Sequence, residues 1–167
     1  MPEPVAFTPI GVVRTPFATH AGMPIQTVAA GGVKGRIELD PAYADGLADL
    51  GGFTHLHLIT YLHRTGEAAM RVTPYLDTVK RGLFATRSPK RPNPIGLSLV
   101  RLIRIEGTVL HIEEVDLHDG TPLLDIKPYV PPFDDRAGAR YGWFEQRAQH
   151  VHSVRADSRF AEPGDET

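Results

Sequence analysis

The sequence predicts an all-β protein, a compact β-barrel with a few short helices. Three observations predict it. Apolar segments recur roughly every 8 to 15 residues with glycine and proline between them, the spacing of a barrel or sandwich. Two of these segments, FTHLHLITYLHRT and IGLSLVRLIRIEG, alternate with a period of two, as strands do. No βα unit repeats. The three glycines of AAGGVKG lack the preceding strand and following helix that make a dinucleotide-binding turn.

In chain order, FTPIGVVRT (Phe7–Thr15) and VKGRIEL (Val33–Leu39) read as the first two strands. Asp40 is a good N-cap, Pro41 suits the first helical position, and Gly51 or Gly52 can stop the helix that follows. In the next strand Leu56, Leu58 and Thr60 share one face, and His55, His57, Ile59 and Tyr61 share the other. GLFATR reads as a short strand. In the long strand after it, Leu97, Leu99, Arg101 and Ile103 alternate with Ser98, Val100, Leu102 and Arg104. TVLHIEEVDL and HDGTPLLDIKPYVP complete the series. YGWFEQRAQHVHSV fits either a helix or an edge strand, and Glu162–Thr167 reads as a frayed end.

The 167 residues suffice for one domain with a real core, and 41% apolar with 23% charged residues is ordinary for a globular protein. One domain is expected over residues 1–167, with residues 137–167 as a C-terminal extension. The chain has no cysteine, which excludes disulfides, thiolate zinc sites and thiol catalysis. No apolar run approaches a membrane span. MPEPVAFTPIGVV lacks the basic and apolar regions of a signal peptide, so a cytoplasmic protein is expected.

The net charge of −2 hides an asymmetry. Lys80, Arg81, Arg87, Lys90, Arg91, Arg101 and Arg104 fall in a stretch without Asp or Glu; Glu106, Glu113, Glu114, Asp116, Asp119 and Asp125 follow. The basic block can attract phosphate or a carboxylate, or it can simply pair with the acidic one. Within it, ATRSPKRPNPIGLS holds three prolines and three cations. Pro92 and Pro94 fix φ, remove two donors and push Arg91 and Asn93 into extended conformations. Such a loop is stiff before any ligand arrives and loses little entropy on binding. Arg87 can fork onto a carboxylate or phosphate, and Asn93 can read an amide or a purine edge. The same composition also suits a loop that protects a sheet edge.

Asp119-Gly120 between apolar strands reads first as a hairpin turn. Asp125, Lys127 and Tyr129 then share a face, either as a proton-handling group or as an ion pair beside a packed tyrosine. His55 and His57 share a face, a spacing metal hydrolases use, but no carboxylate cluster accompanies them and no metal site is assigned. His63 falls near a strand end, where it can reach a ligand. GMPIQ (22–26) reads as a loop.

PIGVVRTPF, FTHLHLITYLH, FATRSPKRPNPIGLS and DGTPLLDIKPYVP, in this order and spacing, closely resemble the TsaA-like (TrmO) family over roughly Phe7 to Asp134. The resemblance implies a barrel that binds S-adenosylmethionine without a Rossmann fold. It implies a homodimer with the cofactor near the interface, and methyl transfer to N6 of threonylcarbamoyladenosine beside the anticodon of tRNA. By position in the motifs, cofactor contacts are expected at Pro24, Gln26, His63, Arg64, Arg87, Leu97, Asp119, Gly120, Thr121 and Pro122. Arg87 would meet the methionine carboxylate, Leu97 and Pro122 the adenine, and Asp119 the sulfonium charge. Asp125, with Lys127 and Tyr129, is expected to orient or deprotonate N6. Lys90, Arg91, Asn93 and Arg101 are expected to bind the anticodon stem-loop. A different acceptor, or a non-enzymatic S-adenosylmethionine-binding module, would use the same barrel. Longer members of the family carry a further C-terminal domain.

Overall fold

The computed structural model describes residues 1–19 and 23–160. Gly22 of GMPIQ and the expected frayed end lie outside them. The strands are β1 (Gly11–Arg14), β2 (Lys34–Leu39), β3 (His55–Tyr61), β4 (Arg71–Val72), β5 (Arg81–Gly82), β6 (Ile95–Glu106), β7 (Val109–Glu113) and β8 (Thr121–Pro128). Six of them close into an antiparallel barrel in the order β1-β2-β7-β6-β3-β8, while β4 and β5 form a separate two-stranded sheet. Closure leaves the barrel without an unpaired edge.

The inward face of each strand makes the core: Val13, Ile37, Leu56, Leu58, Val100, Leu110 and Leu123 are all fully buried. Each such side chain contributes about 1.5–3 kcal/mol by leaving water. Thr60 follows Leu56 and Leu58 inward, so the alternation read in FTHLHLITY holds.

Two bulges interrupt the alternation elsewhere. Ile59 pairs with Asp125 and Thr60 with Leu123, which makes Leu124 an extra residue in β8. Thr121 and Leu123 are buried before it; past it Ile126 takes the inward position, and Asp125 and Lys127 turn outward. In β6, Leu102 pairs with Ile112 and Arg104 with His111, leaving Ile103 extra. Arg104 is thereby turned out to Glu106 and Ile105 into the core, although strict alternation puts Arg104 on the side of Val100.

Other expectations change as well. Asp40 caps as expected, accepting from Ala42 N–H at 2.9 Å with Pro41 behind it, but Pro41–Leu47 is a 3-10 helix. It has no fully buried residue, so no apolar stripe sustains a longer α-helix. GLFATR is not a strand: β5 ends at Gly82 and Leu83–Ala85 is a 3-10 turn. Asp119-Gly120 is a turn but not a hairpin, because β7 and β8 do not pair. Its Asp119 N–H bonds Phe17 O and its Gly120 N–H bonds Val13 O, which ties it to β1. Gly120 has φ +76°, a conformation glycine adopts without a Cβ penalty. After the short helix α1 (Pro131–Asp134), the tail forms 3-10 turns at Gly142–Gln146, Ala148–His150 and Ser158–Phe160.

Candidate functional site

Strand register brings four loops to one end of the barrel. β3 finishes at Tyr61 opposite Ile95, the start of β6. Thr60 lies opposite Leu123, near the start of β8, and Val13 of β1 lies opposite Thr121. The segments after β1, after β3, before β6 and before β8 therefore emerge together. They carry Pro24 and Gln26, His63 and Arg64, Arg87, and Asp119 and Gly120 respectively.

Contacts at this end join some of these residues directly. Arg87 is exposed and donates to the Gln26 side-chain carbonyl at 2.9 Å. Arg64 donates to Ala18 O. Asp119 Oδ1 accepts from Thr15 N–H at 3.0 Å, and Oδ2 lies 3.8 Å from Arg14. Arg14 and Asp119 also line an open groove of about 650 Å³ with Lys34, Arg36 and His111. Thr121 is buried and donates to His118 O at 2.8 Å. Pro24 is buried, in a backbone bridge to Arg155. His63 is half-buried.

A second group lies on the outer face of the sheet. Leu97 pairs with Ile59, and Ile59 with Asp125, so these three form a row across β6, β3 and β8. Strands about 4.8 Å apart place Leu97 and Asp125 about 10 Å from each other. The next row is Leu99, His57 and Lys127. Leu97 is 56% exposed. Asp125 Oδ2 pairs with Lys127 Nζ at 2.8 Å, and Oδ1 accepts from Ile126 N–H at 2.9 Å. That is an oriented carboxylate that keeps lone pairs for a further proton. Tyr129 donates to Asp135, and this bond, with desolvation and the charges of Asp135 and Asp134, pushes its phenol pKa above the usual range. Tyr129 thus stays a neutral donor.

The basic loop is braced internally. Arg91 donates to Thr86 O at 3.0 Å and Ser88 O at 3.1 Å and lies over the Phe84 ring. Lys90 N–H and Ser88 N–H bond the hydroxyls of Ser88 and Thr86. Asn93 is exposed. Lys90 lines a groove of about 520 Å³ together with Arg71 and Arg159. Arg101 sits apart from the loop, on the outer sheet face, paired with Glu113.

His57 Nε2 lies 3.6 Å from Asp134, and the rings of His55 and His57 meet the Tyr129 ring edge-on. Among the described residues no group of three or more His, Asp or Glu converges as a metal site.

One contact was not expected from sequence. Ser98 is buried and donates to Asp116 at 2.7 Å. It ties the strand that carries Leu97 to the segment that leads to Asp119. The available signal was Ser98 itself, a polar residue at an inward position between Gly96 and Val100.

Residues 12–135 match the family model described as the tRNA-methyltransferase O N-terminal domain. The chain is 45% identical over 160 residues to a probable S-adenosyl-L-methionine-binding protein of Pyrococcus abyssi, covering 96% of this chain and 87% of that one. It is 39% identical over 135 residues to the tRNA (adenine(37)-N6)-methyltransferase of Escherichia coli, covering 75% of this chain and 57% of that one. The crystal structure of TrmO from Pseudomonas aeruginosa superposes with a TM-score of 0.72 at 36% identity, covering 84% of this chain and 63% of that one. The chain therefore spans less than two thirds of the length of these two methyltransferases.

Proposed function

Because the chain belongs to the tRNA-methyltransferase O family, we propose that it is an S-adenosylmethionine-dependent methyltransferase acting on N6 of an adenosine beside the anticodon of tRNA. The finer acceptor is N6 of threonylcarbamoyladenosine. The observation that carries the reading is the convergence of Gln26, Arg64, Arg87 and Asp119 at one barrel end, beside the outer-face row of Leu97 and Asp125.

The donor set suits the cofactor. Arg87 is exposed and its hydrogen bond goes to a neutral amide, so that contact leaves its charge uncancelled for a carboxylate. Leu97 and Pro122 would offer apolar surface to the adenine. Asp119, its carboxylate held by Thr15 N–H, would sit near the sulfonium charge. When bound, S-adenosylmethionine supplies an electrophilic methyl group. The chain's own task is alignment. Asp125 takes the N6 proton from an amine made a poor nucleophile by its carbamoyl group, Lys127 holds the Asp125 carboxylate in place at 2.8 Å, and Tyr129, whose proton is given to Asp135, orients the base by accepting at its phenol oxygen.

The RNA reading rests on Lys90, Arg91, Asn93 and Arg101 around the anticodon stem-loop. The partner in the assembly is a second copy of the chain. Tyr61, Ile95, Leu97 and Ile103 are 42–56% exposed on the outer faces of β3 and β6, and a second copy would cover them. Light scattering that gave a monomer mass would remove the dimer. Residues 1–167 act as one barrel domain with 137–167 as its extension, and the place of action is the cytoplasm.

The test is nucleoside mass spectrometry on tRNA carrying threonylcarbamoyladenosine, incubated with the protein and S-adenosylmethionine. A gain of one methyl on that nucleoside is expected. Cofactor binding without that gain would favour a different acceptor or a binding module. The Pyrococcus abyssi relative, which covers nearly the whole chain, is named for binding alone.

A further inference from the structure

The tail touches the cofactor end through residues outside the set assigned to the cofactor. Trp143 Nε1 donates to Ala85 O at 2.7 Å, two positions before Arg87. Arg155 forms a backbone bridge with Pro24, and Ala156 N–H donates to Met23 O at 2.8 Å, just before Gln26. Arg87 itself donates to Gln26. These contacts close a ring: along the tail from Trp143 to Arg155, across to Pro24, on to Gln26, over to Arg87, back to Ala85, and across to Trp143.

The tail is anchored as well. Phe160 is buried with Val72 and Leu83, and its ring meets Tyr75 edge-on at 4.8 Å. Leu83 begins the turn that carries Ala85. Arg159 donates to Pro74 O at 2.9 Å. Arg147 lies 3.6 Å from the buried carboxylate of Asp77, and Arg81 stacks over Trp143 at 5.4 Å. A loose pair of loops would have to be ordered each time a ligand bridged them, at a cost in conformational entropy. A pinned pair has met that cost on folding.

We propose that Tyr141–Phe160 is a positioning strap that fixes the spacing between the Met23–Gln26 loop and the Ala85–Arg87 loop and so sets the affinity for S-adenosylmethionine. Trp143 and Ala156 are its two pins. The inference rests on the cofactor reading above, and the test separates the two.

Trp143 is the single tryptophan of the chain, so its emission reports on the strap alone. S-adenosylmethionine is titrated into the full chain with tryptophan emission and calorimetry in parallel. A strap pinned before the ligand arrives is expected to keep its emission nearly constant while the heat saturates. Trp143→Phe keeps a ring beside Arg81 and removes the N–H. Ala156→Pro removes the other donor, and the extended backbone of Arg155 in its bridge suits a residue before proline. Each variant is expected to bind the cofactor about three- to tenfold more weakly, the worth of one hydrogen bond, with a melt that stays cooperative. Wild-type affinity in either variant that melts cooperatively, or emission that shifts with the heat as a strap ordered only by the ligand would, overturns the strap and leaves the cofactor reading standing. No heat with the wild-type chain overturns both.

Discussion

Arg87 donates from its guanidinium to the side-chain carbonyl of Gln26 at 2.9 Å, across 61 positions of sequence. The bond aims a cation at the end of the barrel where four loops meet. Arg87→Gln is expected to weaken S-adenosylmethionine binding at least about tenfold, since charge-assisted forked contacts are the strong ones. Arg87→Lys should recover only part of this, because an ammonium cannot fork. Calorimetry checks both; full affinity in Arg87→Gln would remove the carboxylate contact.

Asp125 and Lys127 form an exposed ion pair, with side chains 46% and 65% accessible. Such pairs contribute about 0–1 kcal/mol to stability. Asp125→Asn should therefore leave the melting temperature and cofactor affinity nearly unchanged while turnover falls by about 10²-fold or more, as loss of a general base does. Single-turnover methylation reads this, and full turnover would end the proposed role.

Gly96 leaves no room for a side chain. A Cβ there would lie 2.4 Å from Thr60 Oγ1 and 2.8 Å from Leu62 Cδ2. Gly96→Ala is expected to destabilise the barrel by about 1–3 kcal/mol through overpacking. Urea denaturation measures it, with Gly46→Ala, which faces open space, as the comparison.

Lys90 and Arg101 separate on salt dependence. Arg101 is already paired with Glu113, whereas Lys90 lines an open groove beside Arg71 and Arg159. Lys90→Gln should lower the slope of log affinity for the tRNA against log salt by about one; Arg101→Gln should change it by less. Equal slopes for wild type and Lys90→Gln would move the RNA face elsewhere.

Asp77 gives the protein an acid-sensitive joint. Its fully buried carboxylate accepts from Arg81 at 2.8 Å and from the Thr78 and Val79 N–H groups. The Arg81 bond, helped by the two amides and opposed by burial, holds its pKa below the usual carboxylate range. A depressed folded-state pKa contributes stability that is present above the unfolded value, about 3.9, and lost as pH falls through the lower folded value. Melting temperature against pH should drop more shallowly in that acid window for Asp77→Asn than for wild type. The variant should start lower at neutral pH.

Much of the barrel was legible because period-two alternation is a local property: Leu56, Leu58 and Thr60 could be assigned to one face from their spacing alone. The loop chemistry was legible for the same reason, since Pro92 and Pro94 stiffen the chain wherever it lies. The face on which Asp125 and Lys127 stand was not. Continued alternation from Thr121 and Leu123 would point them into the core, and the bulge at Leu124 turns them out. A bulge is decided by how two distant strands settle their register, and β8 alone does not contain that information. The same holds for Arg104 past Ile103, for the Asp119 turn that proved to belong to β1, and for Trp143. The sequence by itself determined the strands, their punctuation and the chemical groups available. Only closure of the barrel decided which of those groups meet, because that depends on pairings between residues far apart in the chain.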